Sequence, residues 1–188
     1  MNGQLKIVSG SLRGRRLNCN VDSNLRPTSQ RAREALFSLL GNAIPERPFF
    51  DVFAGSGVVG LEAISRGASS CTFVERDIRL LNNLERHIEE FDVAEFADVA
   101  RSDAYRWAER WVPPLEPVNI FISPPFVDFK NKMSLLVEMT TLFQENIAED
   151  SIIVLQGEHE VPLEGLPRID EWEDRRYGRN HLLIWIKS

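Results

Sequence analysis

The segment Asp51-Val-Phe-Ala-Gly55-Ser-Gly57-Val-Val-Gly60 constrains this chain more than any other. It joins an apolar run at residues 49–53 to a helical pattern that continues through Arg66 and stops at Gly67. A strand feeding a glycine turn and then a helix is the unit of open α/β sheets, which hold ligands beyond the carboxyl ends of their strands. Glycine lets such a turn close tightly and lets the backbone approach a ligand. The spacing Gly55-x-Gly57-x-x-Gly60, with Glu75 at the tip of the next strand, fits a dinucleotide fingerprint in which the carboxylate accepts from ribose hydroxyls.

The same alternation continues downstream. Residues 71–75 read as a strand, 77–91 as a long amphipathic helix, and a weaker strand near Val99 precedes Asp103. A helix over 104–111 carries Tyr105, Trp107 and Trp111; strands follow at 118–122 and 152–156, with a helix over 131–147 between them. The stretch 168–187 reads as a hairpin around Tyr177-Gly178-Arg179-Asn180. Strands alternating with helices predict a doubly wound, mostly parallel sheet of Rossmann-like α/β type, with right-handed crossovers and an antiparallel hairpin at the end. Upstream, residues 4–17 suggest a small β-hairpin with arginines at its turn and return strand. Thr28 is the expected N-cap of a helix with Ala32, Ala35, Leu36, Leu39 and Leu40 on its apolar face, ending at Gly41. The expected organisation is a basic extension over 1–41 and a main domain over 49–188, forming one compact unit.

At 188 residues, with 43% hydrophobic and 27% charged content, the chain is of ordinary globular composition. No apolar stretch reaches the ~20 residues that cross a bilayer, and the N-terminus lacks a signal-peptide pattern, so a cytoplasmic protein without membrane contact is expected. Cys19 and Cys71 form no metal spacing or disulfide framework, and no metal site is expected. The net charge is −6, but residues 1–33 hold seven Lys/Arg against Asp22 alone; that +6 leaves −12 for the rest. A basic segment on an acidic body is the footprint of local phosphate contact, or else a solvated arm.

The run at 118–122 ends in Ser123-Pro124-Pro125-Phe126. Prolines fix φ and donate no hydrogen bond, so this loop presents bare carbonyls, one polar side chain and an aromatic face. A polar residue before Pro-Pro-aromatic marks enzymes that methylate exocyclic amines of nucleic-acid bases. With Asp51 in the first strand, Asp103 after the third and this loop after the fourth, S-adenosylmethionine fits better than a nicotinamide cofactor. Asp51 alone reads either as a partner for a cationic sulfonium or as a cap on the glycine turn. Asp103 alone reads as an adenine contact or a helix N-cap.

Taken together, Gly10 through Arg16, Leu25-Arg-Pro-Thr28, Arg31-Ala-Arg-Glu-Ala-Leu-Phe37, Asp51 through Gly57, Gly60-Leu-Glu-Ala-Ile-Ser-Arg-Gly-Ala68, Phe73-Val-Glu75, Ser123 through Phe126 and Tyr177-Gly178 resemble the RsmD family. That family methylates the exocyclic N2 amine of one guanine in small-subunit (16S) ribosomal RNA. The resemblance implies the fold of S-adenosylmethionine-dependent methyltransferases. It implies a cofactor site of Thr28, Asp51, Phe53, Ala54, Gly55, Ser56, Gly57, Glu75, Arg76, Asp103, Ala104 and Ser123. Catalysis falls to Ser123, Pro124, Pro125 and Phe126, and RNA contact to Arg13, Arg15, Arg16, Arg26, Arg175, Arg176 and Arg179. The expected partner is ribosomal RNA or its assembling particle, bound by a monomer. In the family the loop begins with Asp, where this chain has Ser123. An impaired, cofactor-binding RNA-binding protein in ribosome assembly and a DNA amine methyltransferase are the alternatives; Asp128 is a possible compensating acceptor. His87 reads as solvated, His159 as a loop residue, His181 as lacking a companion ligand, and Trp107 and Trp111 as core.

Overall fold

The computed structural model describes residues 2–20, 28–158, 165–177 and 180–188. Its strands are β1 (Asn2–Lys6), β2 (Arg16–Asn20), β3 (Pro48–Val52), β4 (Ser70–Glu75), β5 (Ala97–Arg101), β6 (Asn119–Ile122), β7 (Ile152–Glu158), β8 (Glu173–Tyr177) and β9 (Asn180–Ile186). The α-helices are α1 (Gln30–Leu40), α2 (Val58–Ser65), α3 (Ile78–Glu90), α4 (Ala104–Ala108), α5 (Asp128–Asn131) and α6 (Met133–Asn146). None is long and apolar enough to cross a membrane. β1 and β2 pair as an antiparallel hairpin, and seven strands form the main sheet in the order β5-β4-β3-β6-β7-β9-β8. The first five of these run parallel, and β9 and β8 add antiparallel.

The sequence explains the centre of this order. β3 (Pro-Phe-Phe-Asp-Val) and β6 (Asn-Ile-Phe-Ile) are buried at every position, as strands covered on both faces must be. Chain order climbs from β3 through β4 to β5, then returns to the other side of β3 for β6 and β7. Such a reversal opens a crevice at the carboxyl ends of the two strands where it occurs. Here those strands are β3 and β6, which end in the glycine segment and in Ser123.

Two cores cover the two faces. One joins Phe49, Phe73 and Phe121 to α2 and α3, and also takes in Ile7, Leu12 and Leu17 of the hairpin and Leu36, Phe37 and Leu40 of α1. The other joins Phe50, Val52, Ile120 and Ile122 to Tyr105, Phe129, Phe143 and Trp185. The hairpin is thus docked through core contacts. Ser11 N–H donates to the Ser65 carbonyl (2.7 Å) and Leu12 N–H to Ser65 Oγ (2.9 Å), at the last residue of α2.

Several expectations change. Ser29, whose hydroxyl accepts from Ala32 N–H, caps α1; Thr28 is occupied elsewhere. Arg33 and Phe37 are buried on α1 while Leu39 is exposed, because Arg33 lies three and four residues from Leu36 and Phe37, on their face. His87 is fully buried, between Glu90 (Nδ1 to Oε2, 3.0 Å) and the Asn18 backbone of the hairpin (Asn18 N to Nε2, 3.2 Å). It follows Leu84 by one turn, and the docked hairpin covers it. His181 is buried too and lies 3.6 Å from Asp174. α4 ends at Ala108, short of Trp111, and the predicted helix over 131–147 begins only at Met133, after the separate turn α5. Trp107 and Trp111 pack against Phe50 and Phe143 as expected. His159 and Gly178 lie outside the described residues.

Candidate active site

The glycine segment takes its shape from left-handed backbone. Phe53 (φ 67°), Gly55 (φ 56°) and Gly57 (φ 72°) all have positive φ, a conformation unusual for phenylalanine. The turn is closed by Gly57 N–H to the Ala54 carbonyl (2.8 Å) and tied to β4 by Ala54 N–H to the Val74 carbonyl (2.9 Å). Gly60 serves closeness instead: a Cβ there would lie 2.3 Å from the Phe73 ring and 2.6 Å from Cys71 Sγ. Without a side chain, α2 settles directly onto β4.

Two carboxylates stiffen this turn. Asp51, 1% exposed, accepts from Gly60 N–H (2.9 Å) in the first turn of α2. Burial raises its pKa to about 7, opposed by the Gly60 hydrogen bond and reinforced by the Glu75 charge. Of the two readings of Asp51, the geometry carries out the cap. Glu75 accepts from Gly55 N–H through Oε2 (2.9 Å) and from Arg76 and Asp77 N–H through Oε1 (2.8 and 2.9 Å). A carboxylate has about four acceptor positions, so three backbone donors leave Glu75 about one, where two for a diol were expected.

At the end of β5, Asp103 caps α4 through Oδ1 (Tyr105 N–H, 3.1 Å; Arg106 N–H, 3.4 Å) and meets Arg76 through Oδ2 (3.4 Å). Ala104 is buried beside it. Ser56 and Ala54 are buried within the turn. Thr28 is buried against the carboxyl end of β7, its hydroxyl donating to Gln156 Oε1 (3.0 Å), which locks the start of α1 to the sheet. All described members of the expected cofactor set therefore lie at strand carboxyl ends or on their loops.

The proline loop opens at the same end. Ser123 N–H donates to the Val52 carbonyl (3.2 Å), which fixes the loop beside the end of β3. Pro124 is buried, Pro125 exposed and Phe126 half-buried. Pro125 O accepts from Asp128 N–H (2.8 Å), whereas Pro124 O and the Ser123 hydroxyl have no hydrogen-bond partner among the described residues. Asp128, considered from sequence as a substitute acceptor, is buried and engaged: its Oδ2 accepts from the Tyr105 hydroxyl (2.9 Å) and Lys132 Nζ (3.3 Å). Burial, then the Asp128 hydrogen bond and charge, push the Tyr105 hydroxyl's pKa well above the ordinary phenol value. Tyr105 was missed in the sequence because its link to Asp128 joins separate elements, whereas Lys132 stands at the i,i+4 spacing from Asp128 that could have pointed to it.

The arginines are sorted differently from expectation. Arg33 is no surface cation: it is 1% exposed, bonded to Glu62 (Nε to Oε2, 3.1 Å) and to the Thr28 and Lys6 carbonyls. Arg13, Arg15 and Arg16 are exposed but sit near the far ends of α2 and α3, where Arg15 donates to the Glu90 carbonyl (2.8 Å) and stacks on Phe91. The eight residues of α2 alone span ~12 Å between the glycine turn and that end. Arg175 and Arg176 lie on edge strand β8, each paired with an acid of its own strand, Glu173 and Asp174. The hairpin arginines thus stand away from the loops, whereas Arg175 and Arg176 pair through Leu182 and His181 with Gln156 and Gly157, level with the carboxyl end of β7. Arg26 and Arg179 lie outside the described residues.

A parallel sheet reversing between β3 and β6, with a glycine turn on one strand and a polar Pro-Pro-aromatic loop on the other, defines the class: the Rossmann-like fold of S-adenosylmethionine-dependent methyltransferases. Residues 5–186 match the family described as conserved hypothetical protein 95, and the chain belongs to that family, the RsmD family indicated by its motifs. The ribosomal RNA small subunit methyltransferase D of Escherichia coli is 34% identical over 169 residues, 89% of this chain and 80% of that protein. The solved structure of Escherichia coli yhhF superposes with a TM-score of 0.79 at 29% identity, covering 99% of each chain. At the level of fold alone, the Thermus thermophilus 16S rRNA N2 G1207 methyltransferase RsmC, solved with AdoMet and guanosine, gives a TM-score of 0.73 at 17% identity, over all of this chain and 50% of that one.

Proposed function

We propose that the protein transfers a methyl group from S-adenosylmethionine to the exocyclic N2 amine of a guanine in small-subunit ribosomal RNA. The observation that carries this reading is the shared opening of the glycine turn and the Ser123–Phe126 loop at the β3/β6 reversal. The residues fit the cofactor: Glu75 keeps about one acceptor position for a ribose hydroxyl, and Arg76, Asp103 and Ala104 stand where an adenine ring would be read. Gly55, Ser56 and Gly57 would face the cofactor through backbone, with Phe53 and Ala54 shaping the turn and Thr28 holding the start of α1 at the end of β7; Asp51 acts from beneath the turn. Bound there, S-adenosylmethionine supplies an electrophilic methyl group.

The chain's own contribution is positioning. A guanine N2 lone pair is delocalised into the ring, and two acceptors on its protons turn it outward. The Pro124 carbonyl and the Ser123 hydroxyl are the acceptors, both without a partner among the described residues. Phe126 stacks on the base, worth roughly 1–3 kcal/mol, and the base must be unpaired or flipped to reach the loop. Serine is neutral, so it binds the amine protons more weakly than a carboxylate; a deficit of ~1.5–3 kcal/mol slows transfer about ten- to a hundredfold. That residue also motivates the second reading, an RNA-binding protein that keeps the cofactor site but has lost chemistry.

Incubation with labelled cofactor and small subunits from a strain lacking the modification tests the proposal. Label is expected on a guanine N2. No transfer to any RNA at high protein concentration would defeat the enzymatic reading in favour of the second.

A further inference from the structure

Three loops of the rim meet at Tyr105, a residue with no part in the mechanism above. Its N–H donates to Asp103 Oδ1 at the end of β5 (3.1 Å). Phe53 of the glycine turn meets its ring edge-on, with centroids 5.4 Å apart and planes at 72°. Its hydroxyl donates to Asp128 Oδ2 (2.9 Å), immediately after the proline loop. Lys132 completes the cluster, 3.3 Å from the same oxygen and 5.3 Å from the Tyr105 ring centroid.

The proline loop depends on this cluster for its orientation. Prolines set φ but leave ψ free, and they lend no N–H to hold the loop. Its backbone is anchored by Ser123 N–H to Val52 O and Asp128 N–H to Pro125 O. The second anchor stays in place only if Asp128 does. Asp128 is 5% exposed, and a buried carboxylate is costly to leave unpaired.

We infer that Tyr105, acting through Asp128, is a positioning residue that sets the Ser123–Phe126 loop against the glycine turn and transmits occupancy of the cofactor side to the base side. This rests on the methyltransferase reading above. Tyr105 touches no reacting atom. Its ring senses Phe53 and its backbone senses Asp103, while its hydroxyl holds the helical turn that carries the loop.

Tyr105→Phe keeps the ring and removes only the hydroxyl. Its kcat for RNA methylation should fall about ten- to a hundredfold, while KM for RNA and calorimetric affinity for S-adenosylhomocysteine stay within about threefold. Asp128→Asn, which keeps an oxygen for the Tyr105 hydroxyl, should retain more rate than Asp128→Ala. Tyr105→Phe added to Asp128→Ala should cost nothing further. Hydrogen exchange over residues 126–131 supplies a readout that does not depend on turnover. S-adenosylhomocysteine should slow that exchange in the unaltered protein and not in Tyr105→Phe. Unchanged kcat and unchanged exchange in Tyr105→Phe would overturn the inference. So would a parallel fall in kcat, cofactor affinity and melting temperature, which marks a merely structural role. If the unaltered protein methylates no RNA, the functional reading fails while the exchange comparison still decides the coupling.

Discussion

The glycine turn and the proline loop stand side by side at the β3/β6 reversal, yet they are held in opposite ways. The glycine turn is fixed from within: positive φ at three positions, α2 pressed onto β4 at Gly60, and two carboxylates spent on its own backbone N–H groups. The proline loop is fixed from outside, by the Val52 carbonyl on one side and the Asp128 cluster on the other. The first arrangement suits a cofactor common to many enzymes, since backbone can hold it without specific side chains. The second leaves the acceptor residue replaceable. Serine at 123 alters the chemistry of the loop without touching what holds it.

The largest expected effect probes the internal design. Asp51 keeps its proton up to about pH 7 when folded, against 3.8 for the free carboxyl. The folded state therefore binds more protons between these values, and stability falls as pH rises through that window, by up to on the order of 4 kcal/mol. Asp51→Asn should flatten this part of the profile in denaturant unfolding from pH 4 to 8. An identical slope in both proteins would mean that Asp51 is ionised when buried.

Glu75→Ala comes next. It removes the ribose acceptor and also strands three backbone donors, so cofactor affinity by calorimetry should drop by about 2–3 kcal/mol with some loss of stability. Unchanged affinity in the folded variant would move the ribose contact elsewhere and undo the contrast between the two loops.

Ser123→Asp tests the external design. Its carboxylate should raise the methylation rate about ten- to a hundredfold while leaving stability and cofactor affinity alone. A slower variant would show that serine is adapted to this site. The smallest effect belongs to the distant arginines. Replacing Arg13, Arg15 and Arg16 by glutamine should weaken RNA binding, each lost phosphate contact removing about 0.7–0.9 from the log–log salt slope. Cofactor affinity should not move, because these residues sit at the far ends of α2 and α3. Wild-type affinity and slope would make them a solvated surface.

Local grammar carried far in the sequence. The buried strands, the glycine turn, the helix stop at Gly67 and the closing hairpin were legible because each depends on neighbours within a few residues. The order of motifs along the strands was enough to place Glu75, Asp103 and Ser123 at strand ends. What could not be read was which polar residue would be covered. Arg33 and His87 lie at spacings that share a buried helix face, but charge and polarity argued for solvent. Only the docked hairpin and Glu62 make their burial affordable.

The sequence by itself determined a doubly wound parallel sheet and the residue types at its strand ends, because periodicity and turn chemistry act locally; the strand order that reverses between β3 and β6 came only with the tertiary structure. The tertiary structure decided that Asp51 caps α2, that Glu75 keeps about one free acceptor position, that the hairpin arginines lie away from the loops, and that Tyr105 reaches Asp128. These are pairings across 9, 20 and 23 positions of chain, or across the hairpin interface. A hydrogen bond between distant residues leaves no periodic trace, so it becomes visible only when folding brings its two ends within 3 Å.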